Sequence, residues 1–247
     1  MYSTKVEPKY NPNPNPRIGL IALASDFTIE KDFINVIKDR GIDFFVNRIE
    51  CYNPLTSENL IKMSQKVTEV TKDILPDQKI DCVVYACTSG TIAAGYNSIE
   101  QKIKLAKPET KVTTPSTAAI KALKKLKIQK LSIFTPYSKK LNDEVVEYFK
   151  KENFNITSNS YFDIESDIDI GKVDQNYLYE VLSKIDLKDA DALFVSCTAL
   201  PVLKILDQVE TKIKKTVLSS NQTLIWDSIR SVGYNSPVSG YGKLFRN

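Results

Sequence analysis

Two segments of the chain have nearly the same pattern, and each contains a cysteine followed by a threonine. They are residues 83–88 (VVYACT) and residues 193–198 (LFVSCT). In both, an apolar run rich in β-branched and aromatic residues predicts a short buried strand. Glycine, threonine or proline residues follow and predict the start of a helix. The pattern therefore predicts that Cys87 and Cys197 each lie between the end of a strand and the N-terminus of a helix.

A cysteine in that position can do acid–base or nucleophilic chemistry. An unperturbed thiol has a pKa near ~8.5, so only a few per cent of it is thiolate at neutral pH. Free N–H groups at a helix N-terminus favour the anion, and they also suit a substrate carboxylate. Two thiols on opposite sides of a planar carbanion can remove a proton from one face and return it on the other. Because the chain has no histidine, this pair is the best candidate for such chemistry.

The remaining composition excludes several other functions. Cys51 and Cys82 are interpreted as small core residues. The sequence contains neither a C-x-x-C pair nor a histidine, which argues against a zinc site. A formal net charge of only +4, with both signs mixed along the chain, argues against binding to nucleic acid. Neither a membrane span nor a secretion signal is predicted. We therefore expect a cytoplasmic protein whose thiols are reduced.

Strand and helix patterns alternate along most of the chain. Residues 8–16 (PKYNPNPNP) predict an extended arm, because alternating proline removes backbone donors. The predicted strands are 17–23, 42–49, 82–86, 131–134, 156–161, 193–196 and 216–218. Capping residues and first-turn prolines mark the predicted helix starts: Thr56, Asn142, Ser220, Pro115 and Pro201.

This alternation predicts an α/β fold of parallel sheets covered by helices. The first predicted strands of the two halves have similar sequences, RIGLIAL and KLSIFTP. This similarity indicates two pseudo-symmetric, Rossmann-like lobes with an active-site cleft between them. The predicted division is an arm of residues 1–16, a first lobe of 17–113 plus 219–247, and a second lobe of 114–218. Ligands in such sheets bind beyond the carboxyl ends of the strands, where both cysteines are expected. The chain has neither a G-x-G-x-x-G motif nor a P-loop, which argues against a nucleotide-binding domain.

Taken together, these motifs resemble the aspartate/glutamate racemase superfamily and, within it, the branch of maleate isomerases and arylmalonate decarboxylases. The resemblance covers nearly the whole chain and rests on residues 86–91 (ACTSGT), 113–116 (TTPS), 135–137 (TPY), 196–200 (SCTAL) and 219–222 (SSNQ). It implies two α/β lobes, a small carboxylate substrate in the cleft, no cofactor, and a homo-oligomer.

The resemblance also implies roles for individual residues. In maleate isomerases, the thiol matching Cys87 adds to the double bond, the thiol matching Cys197 handles the proton, and the tyrosine matching Tyr137 lies over the substrate. Decarboxylase members have glycine at the first cysteine position, so Cys87 argues against a decarboxylase. The other residues expected to bind the substrate, through backbone amides or hydroxyls, are Thr88, Ser89, Gly90, Thr114, Thr198 and Ala199.

Two positions depart from the maleate isomerase pattern. Asp26 and Asp167 stand where those enzymes have asparagines that bind the substrate. An amide can donate to a substrate carboxylate, whereas an ionised aspartate only accepts and repels it. The change therefore favours a substrate with a cationic or donor-rich end. A structural alternative remains for each residue: Asp26 as the cap of a helix near Thr28, and Asp167 as part of a surface acidic loop.

The pattern of residues 19–30 (GLIALASDFTIE) looks most like the ectoine-utilisation protein A branch, whose members are presumed racemases or isomerases. We therefore expect a two-cysteine racemase or isomerase acting on a small carboxylate, such as a diaminobutyrate derivative. Alternatives are a maleate-type cis–trans isomerase with Cys87 as the nucleophile, and a non-catalytic protein that binds a metabolite. A redox switch is a further alternative, although a disulfide between Cys87 and Cys197 requires Cα atoms within about 7 Å.

Overall fold

A computed structural model describes residues 2–11 and 14–246. It contains two parallel sheets of four strands each, and they have the same strand order. The first sheet has the order β2-β1-β3-β4, with β1 Arg17–Leu23, β2 Asp43–Ile49, β3 Cys82–Tyr85 and β4 Lys111–Thr113. The second has the order β6-β5-β7-β8, with β5 Lys130–Tyr137, β6 Asn155–Ile164, β7 Ala192–Val195 and β8 Thr216–Ser219. The predicted α/β fold with two pseudo-symmetric lobes is thus confirmed.

Helices connect the strands and cover the sheets. They are α1 Ile29–Ile37, α2 Ser57–Ser64, α3 Val67–Lys72, α4 Thr88–Ala94, α5 Tyr96–Ala106, α6 Pro115–Lys125, α7 Lys139–Lys151, α8 Asp167–Gly171, α9 Gln175–Lys184, α10 Leu206–Ile213, α11 Ser220–Ser231 and α12 Lys243–Arg246. No helix in the described part of the chain is both long and apolar enough to cross a bilayer.

The strands that precede the two cysteines are buried on both faces. All four residues of β3 and all four of β7 are buried, as expected for inner strands of parallel sheets covered by helices. In the shared strand order β7 corresponds to β3. The pseudo-symmetry therefore places Cys87 and Cys197 at equivalent strand ends.

Helix α11 links the two sheets. It contacts β3 and β4 of the first sheet, β8 of the second, and helices α1 and α6. Ten consecutive residues, 220–229, are buried, and several are small and polar. A helix that is buried all round and carries hydroxyl and amide groups is expected to use most of them in hydrogen bonds within the protein, as Ser220, Asn221 and Thr223 do. These groups reach the candidate site.

Several element boundaries differ from the predictions. Strand β4 was not predicted, because its three residues (KVT) are too short and polar to form an apolar run. Helix α7 begins at Lys139, so Asn142 lies within the helix and does not cap it. Pro201 lies outside any helix, and a 3₁₀ turn begins only at Leu203. Thr56 and Pro115 begin their helices as expected, whereas α11 is capped by Ser219 and not by Ser220.

The N-terminal arm has neither helix nor strand in residues 2–11 and 14–16. The Asn15 side chain donates to the Asp43 carboxylate at 3.0 Å, and the Pro16 carbonyl accepts from the Asp43 N–H at 2.9 Å. These contacts attach the end of the arm to β2. The predicted arm also includes Met1, Pro12 and Asn13, which lie outside the described residues.

Candidate active site

Cys87 caps the N-terminus of a helix, as the sequence predicts. It follows β3 and precedes α4 with φ −144°, an extended conformation. Its sulfur accepts a hydrogen bond from the Gly90 N–H at 3.2 Å, and the Ser89 hydroxyl oxygen lies 3.9 Å from the sulfur. The thiol is 3% exposed. Residues 88–90 thus surround the sulfur with N–H and O–H groups.

Cys197 reaches the site by a different backbone path. Its φ is +93°, a region that residues other than glycine rarely adopt and that costs roughly 1–3 kcal/mol. No helix follows it, so the prediction of a helix N-terminus is wrong here. Pro201 supplies the reason, because the residue before a proline is sterically biased away from helical geometry. The Ala199 amide and the Tyr137 hydroxyl are the hydrogen-bonding groups that lower the pKa of Cys197.

Ser220, the first residue of α11, connects the two cysteine turns. Its hydroxyl oxygen accepts from the Thr88 hydroxyl at 2.8 Å and from the Cys197 N–H at 3.0 Å. The Thr198 hydroxyl donates to the Ala86 carbonyl at 3.1 Å, which makes a second link between the turns. One side chain from each lobe and one helix therefore hold the two cysteine turns together.

Asn221 and Asp32 support the Cys197 turn from behind. The Asn221 Nδ2 group donates to the Thr198 carbonyl at 2.9 Å and to the Asp32 carboxylate at 2.8 Å. Burial raises the pKa of Asp32 to about 7, and the Asn221 hydrogen bond opposes the rise. Sequence reasoning identified neither Asp32 nor the bridge through Ser220. For Ser220 and Asn221 the available signal was the motif of residues 219–222 (SSNQ), which contributed to the family resemblance without a role for either side chain.

Asp26 has both a structural role and a free oxygen. Its Oδ1 accepts from the N–H groups of Thr28 and Ile29 at 2.8 and 3.0 Å. Asp26 thus binds N–H groups at the start of α1, as the capping alternative expected, although the N-cap residue itself is Thr28. Its Oδ2 is buried and has no hydrogen-bond partner among the described residues. Burial raises the pKa of Asp26, and the N–H groups of Ile29 and Thr28, the nearby Thr198 hydroxyl and the charge of Arg48 oppose that rise. One carboxylate oxygen thus remains available for a ligand.

Asp167 is 2% exposed, so the alternative of a surface acidic loop is wrong. Its Oδ2 accepts from the Ser25 hydroxyl at 2.5 Å, and its N–H donates to the Asn53 side chain at 3.1 Å. Burial raises the pKa of Asp167 to about 6, the Ser25 hydroxyl opposes the rise, and the nearby charge of Asp26 adds to it. The two aspartates from different lobes therefore lie in one buried acidic region.

The same region borders both thiols and Tyr137. Burial raises the pKa of Cys197, and the charges of Asp167 and Asp26 raise it further. Burial also raises the pKa of Cys87. Cys51 and Asp167 raise it further, and the Gly90 N–H and the Ser89 hydroxyl oppose the rise. The expectation that helix N–H groups would favour a thiolate is therefore outweighed by burial. Burial thus favours the neutral thiol at both cysteines.

The remaining predicted residues are buried but serve partly in the protein itself. The Thr88 and Thr198 hydroxyl protons are used in the two links between the turns. Thr114 follows β4 and caps α6, with its hydroxyl 2.9 Å from that of Thr117. Tyr137 ends β5 and is 2% exposed. Among the predicted hydroxyls, those of Ser89 and Tyr137 are therefore the best placed to bind a ligand.

Cys51 packs against the hydrophobic core, close to the expectation, and lies at the edge of this acidic region. It is half-buried. Burial raises its pKa to about 11, the Ser25 hydroxyl opposes this, and the charges of Asp167 and Asp26 add to it.

Within residues 2–11 and 14–246, no group of three or more His, Cys, Asp or Glu side chains is arranged to hold a metal ion.

Comparison with known proteins identifies the family. A family model described as arylmalonate decarboxylase matches residues 65–245, more than half of the chain. The chain belongs to this family. Maleate isomerase from Geobacillus stearothermophilus is 24% identical over 243 residues, which span 92% of this chain and 96% of that protein. Arylmalonate decarboxylase from Bordetella bronchiseptica is 26% identical over 136 residues, 54% of this chain and 57% of that protein.

Solved structures of arylmalonate decarboxylase family members show the same fold. The maleate isomerase Iso from Pseudomonas putida superposes with a TM-score of 0.87 at 22% identity, covering 94% of this chain and 98% of that one. A second structure is a cysteine-to-serine variant of Nocardia farcinica maleate cis–trans isomerase with a covalently bound succinylcysteine intermediate. It superposes with a TM-score of 0.86 at 21% identity, covering 94% of this chain and 98% of that one. The chain is thus an enzyme of a family whose named relatives are isomerases and a decarboxylase.

Proposed function

We propose that this protein is a cofactor-independent isomerase that holds a small carboxylate between Cys87 and Cys197. The observation that carries the proposal is that two buried cysteines follow equivalent strand ends and that the Ser220 hydroxyl joins their turns, through the Thr88 hydroxyl and the Cys197 N–H. Tyr137 and the amides of residues 89, 90 and 199 are proposed to bind the substrate carboxylate. Thr88, Thr114 and Thr198 would act by shaping the turns that present these groups.

The relatives favour cis–trans isomerisation among the possible reactions. In this route Cys87 first loses its proton to solvent, and the resulting thiolate adds to one carbon of a double bond. The Cys197 thiol delivers its proton to the neighbouring carbon and becomes the thiolate. Rotation about the resulting single bond follows. Cys197 then takes back a proton as the C–S bond breaks, so atoms and charge balance over the cycle. Support comes from the Nocardia farcinica relative, whose structure contains a succinylcysteine.

Asp26 and Asp167 refine the substrate class. Two acidic side chains, one with an unpartnered buried oxygen, would repel the second carboxylate of maleate while ionised. They suit a substrate whose far end donates hydrogen bonds or carries a positive charge. Within the cis–trans route, a monoamide of an unsaturated dicarboxylic acid meets this requirement.

Racemisation of an amino-acid derivative is a second candidate, and the same two aspartates favour it. A diaminobutyrate derivative has one carboxylate for the amides and a nitrogen centre for Asp26 and Asp167. Cys87 and Cys197 would then exchange an α-proton between the two faces. The sequence pattern supports this candidate through its likeness to the ectoine-utilisation branch. We also propose from the sequence that the protein forms a homo-oligomer and is cytoplasmic.

Proton NMR in D₂O distinguishes these reactions. The wild type and a double variant, Cys87→Ser with Cys197→Ser, would be incubated with maleate, its monoamide, and free and N-acetylated diaminobutyrates. We expect cysteine-dependent conversion of the monoamide to the trans isomer at a higher rate than that of maleate. Loss of α-proton signal from a diaminobutyrate without cis–trans conversion would support the racemase. Conversion that persists in the double variant would contradict the proposed function.

A further inference from the structure

Tyr85 has a buried hydroxyl that the fold itself does not use. The residue ends β3, is fully buried, and its hydroxyl has no hydrogen-bond partner among the described residues. Leaving a buried polar group unpaired costs roughly 1–3 kcal/mol. A phenylalanine would fill nearly the same space without that cost. The hydroxyl is therefore more readily explained by a partner that appears during the reaction.

The nearest reactive atom is the sulfur of Cys87. Gly90 shows the proximity, because a Cβ atom built on it would lie 2.7 Å from the Cys87 sulfur and 2.9 Å from the Tyr85 hydroxyl. The hydroxyl and the sulfur thus both border one point at which only a glycine fits. Burial raises the pKa of Tyr85 and the charge of a Cys87 thiolate raises it further, so the hydroxyl keeps its proton and acts as a donor.

We propose that the Tyr85 hydroxyl donates a hydrogen bond to the Cys87 sulfur when that sulfur becomes a thiolate, and that Tyr85 thereby activates Cys87. This inference rests on the proposed function, in which Cys87 is the nucleophile or the base. The neutral thiol already accepts from the Gly90 N–H at 3.2 Å. A buried anion needs more donors than a thiol does, and hydrogen bonds to charged groups are about twice as strong as neutral ones.

The arrangement gives each thiol its own tyrosine. The Tyr137 hydroxyl lowers the pKa of Cys197 against the larger effect of burial, and Tyr85 would do the same for Cys87. Tyr85 comes from the strand that precedes its cysteine, whereas Tyr137 ends a neighbouring strand of the second sheet. The two hydroxyls therefore approach from different directions, which keeps them from competing for one sulfur.

The test compares Tyr85→Phe with Tyr96→Phe across a pH series. Tyr96 is a matched control, because its hydroxyl donates to the Val112 carbonyl at 3.3 Å. The readout is the rate at which iodoacetamide alkylates Cys87, measured by mass spectrometry of its peptide. At a pH below the thiol's pKa, we expect alkylation about tenfold slower in Tyr85→Phe, equivalent to a rise of about one pKa unit. Tyr96→Phe should match the wild type.

Thermal unfolding separates this role from a structural one. Because Tyr85→Phe removes an unpaired buried hydroxyl, the variant should be as stable as the wild type or more so. An unchanged pH profile of Cys87 alkylation, or a clear loss of stability in Tyr85→Phe, would overturn the inference. Alkylation requires no turnover, so this result is independent of whether the NMR experiment supports the proposed function.

Discussion

The two cysteine turns occupy equivalent positions in the two lobes but differ in backbone and environment. Cys87 has an extended conformation and caps a helix whose Gly90 N–H points at the sulfur. Cys197 has φ +93° and precedes a segment without helical structure. The pseudo-symmetry therefore extends over the strands and ends at the turns. Equivalent positions do not make the two thiols chemically equivalent.

The charges that act on the pKa of the two thiols also differ between the turns. The aspartates Asp167 and Asp26 both raise the pKa of Cys197, in addition to burial. At Cys87 the charges that raise the pKa are those of Cys51 and Asp167. Hydrogen-bond donors oppose the rise at both cysteines: the Gly90 N–H and Ser89 hydroxyl at Cys87, and the Tyr137 hydroxyl and Ala199 N–H at Cys197. Of the two, Cys87 is better placed to ionise and attack, and Cys197 is better placed to keep a proton and deliver it.

The largest expected effect comes from removing either sulfur. Cys87→Ser and Cys197→Ser should each lower turnover of the best substrate in the NMR panel by roughly 10²–10⁴-fold, because each removes an acid–base or nucleophilic group. Cys82→Ala is the control, since Cys82 lies at the opposite end of β3. Turnover that survives in either serine variant would show that the two thiols do not act together.

The next largest effect is on the pH dependence of stability, and it comes from Asp167, one of the two aspartates near Cys197. The pKa of Asp167 is raised from 3.8 to about 6 in the folded protein, so the folded state binds the extra proton and stability falls as pH rises between those values. Asp167→Asn should remove this part of the pH dependence, on the order of 3 kcal/mol. Asp26 and Asp32 should leave a residual slope of the same sign.

Urea denaturation at a series of pH values measures this effect. The variant keeps an oxygen that accepts from Ser25, so its packing should be preserved. Equal slopes for Asp167→Asn and the wild type would contradict the assigned environment of Asp167.

Ser220→Ala tests the link that holds the two turns together. It leaves the Cys197 N–H buried without its acceptor and frees the Thr88 hydroxyl, which should cost roughly 1–3 kcal/mol of unfolding free energy. Ser228→Ala is a matched control on the same helix, because the Ser228 hydroxyl only donates to the Ile225 carbonyl. Equal losses of stability and activity in the two variants would argue against a special role for Ser220.

The smallest expected effect is the difference in unfolding free energy between alanine and glycine variants at each of the two cysteine positions. At residue 197, where φ is +93°, glycine should be more stable than alanine by about 1 kcal/mol, because alanine rarely adopts positive φ. At residue 87, where φ is −144°, alanine should be the more stable by roughly 0.5–1 kcal/mol. The same sign at both positions would contradict the difference in backbone conformation.

The sequence predicted what depends on local patterns. Strands β3 and β7 are apolar along their length, and Thr56 and Pro115 are ordinary helix-start residues, so these elements could be located. The turn after Cys197 was mispredicted, since Pro201 looks like a first-turn proline until its steric effect on the preceding residue is considered. The neutral-thiol state was also missed, because it depends on burial between the lobes.

Long-range contacts could not be predicted from single positions. Ser220 meets Thr88 across 132 residues of sequence and Asn221 meets Asp32 across 189. The burial of Asp167 depends on Ser25, which lies 142 residues away. A residue pattern records that such groups are polar, whereas only the packing of the two lobes determines what they contact.

The most direct test of the account is to trap the covalent intermediate. Cys197→Ser and Cys87→Ser would each be incubated with maleate and with its monoamide, digested, and analysed by mass spectrometry. We predict an adduct with the mass of the added acid on Cys87 in the Cys197→Ser variant, and no adduct on Cys197 in the Cys87→Ser variant. An adduct on Cys197, or rapid turnover in Cys197→Ser without any adduct on Cys87, would contradict the unequal roles of the two thiols.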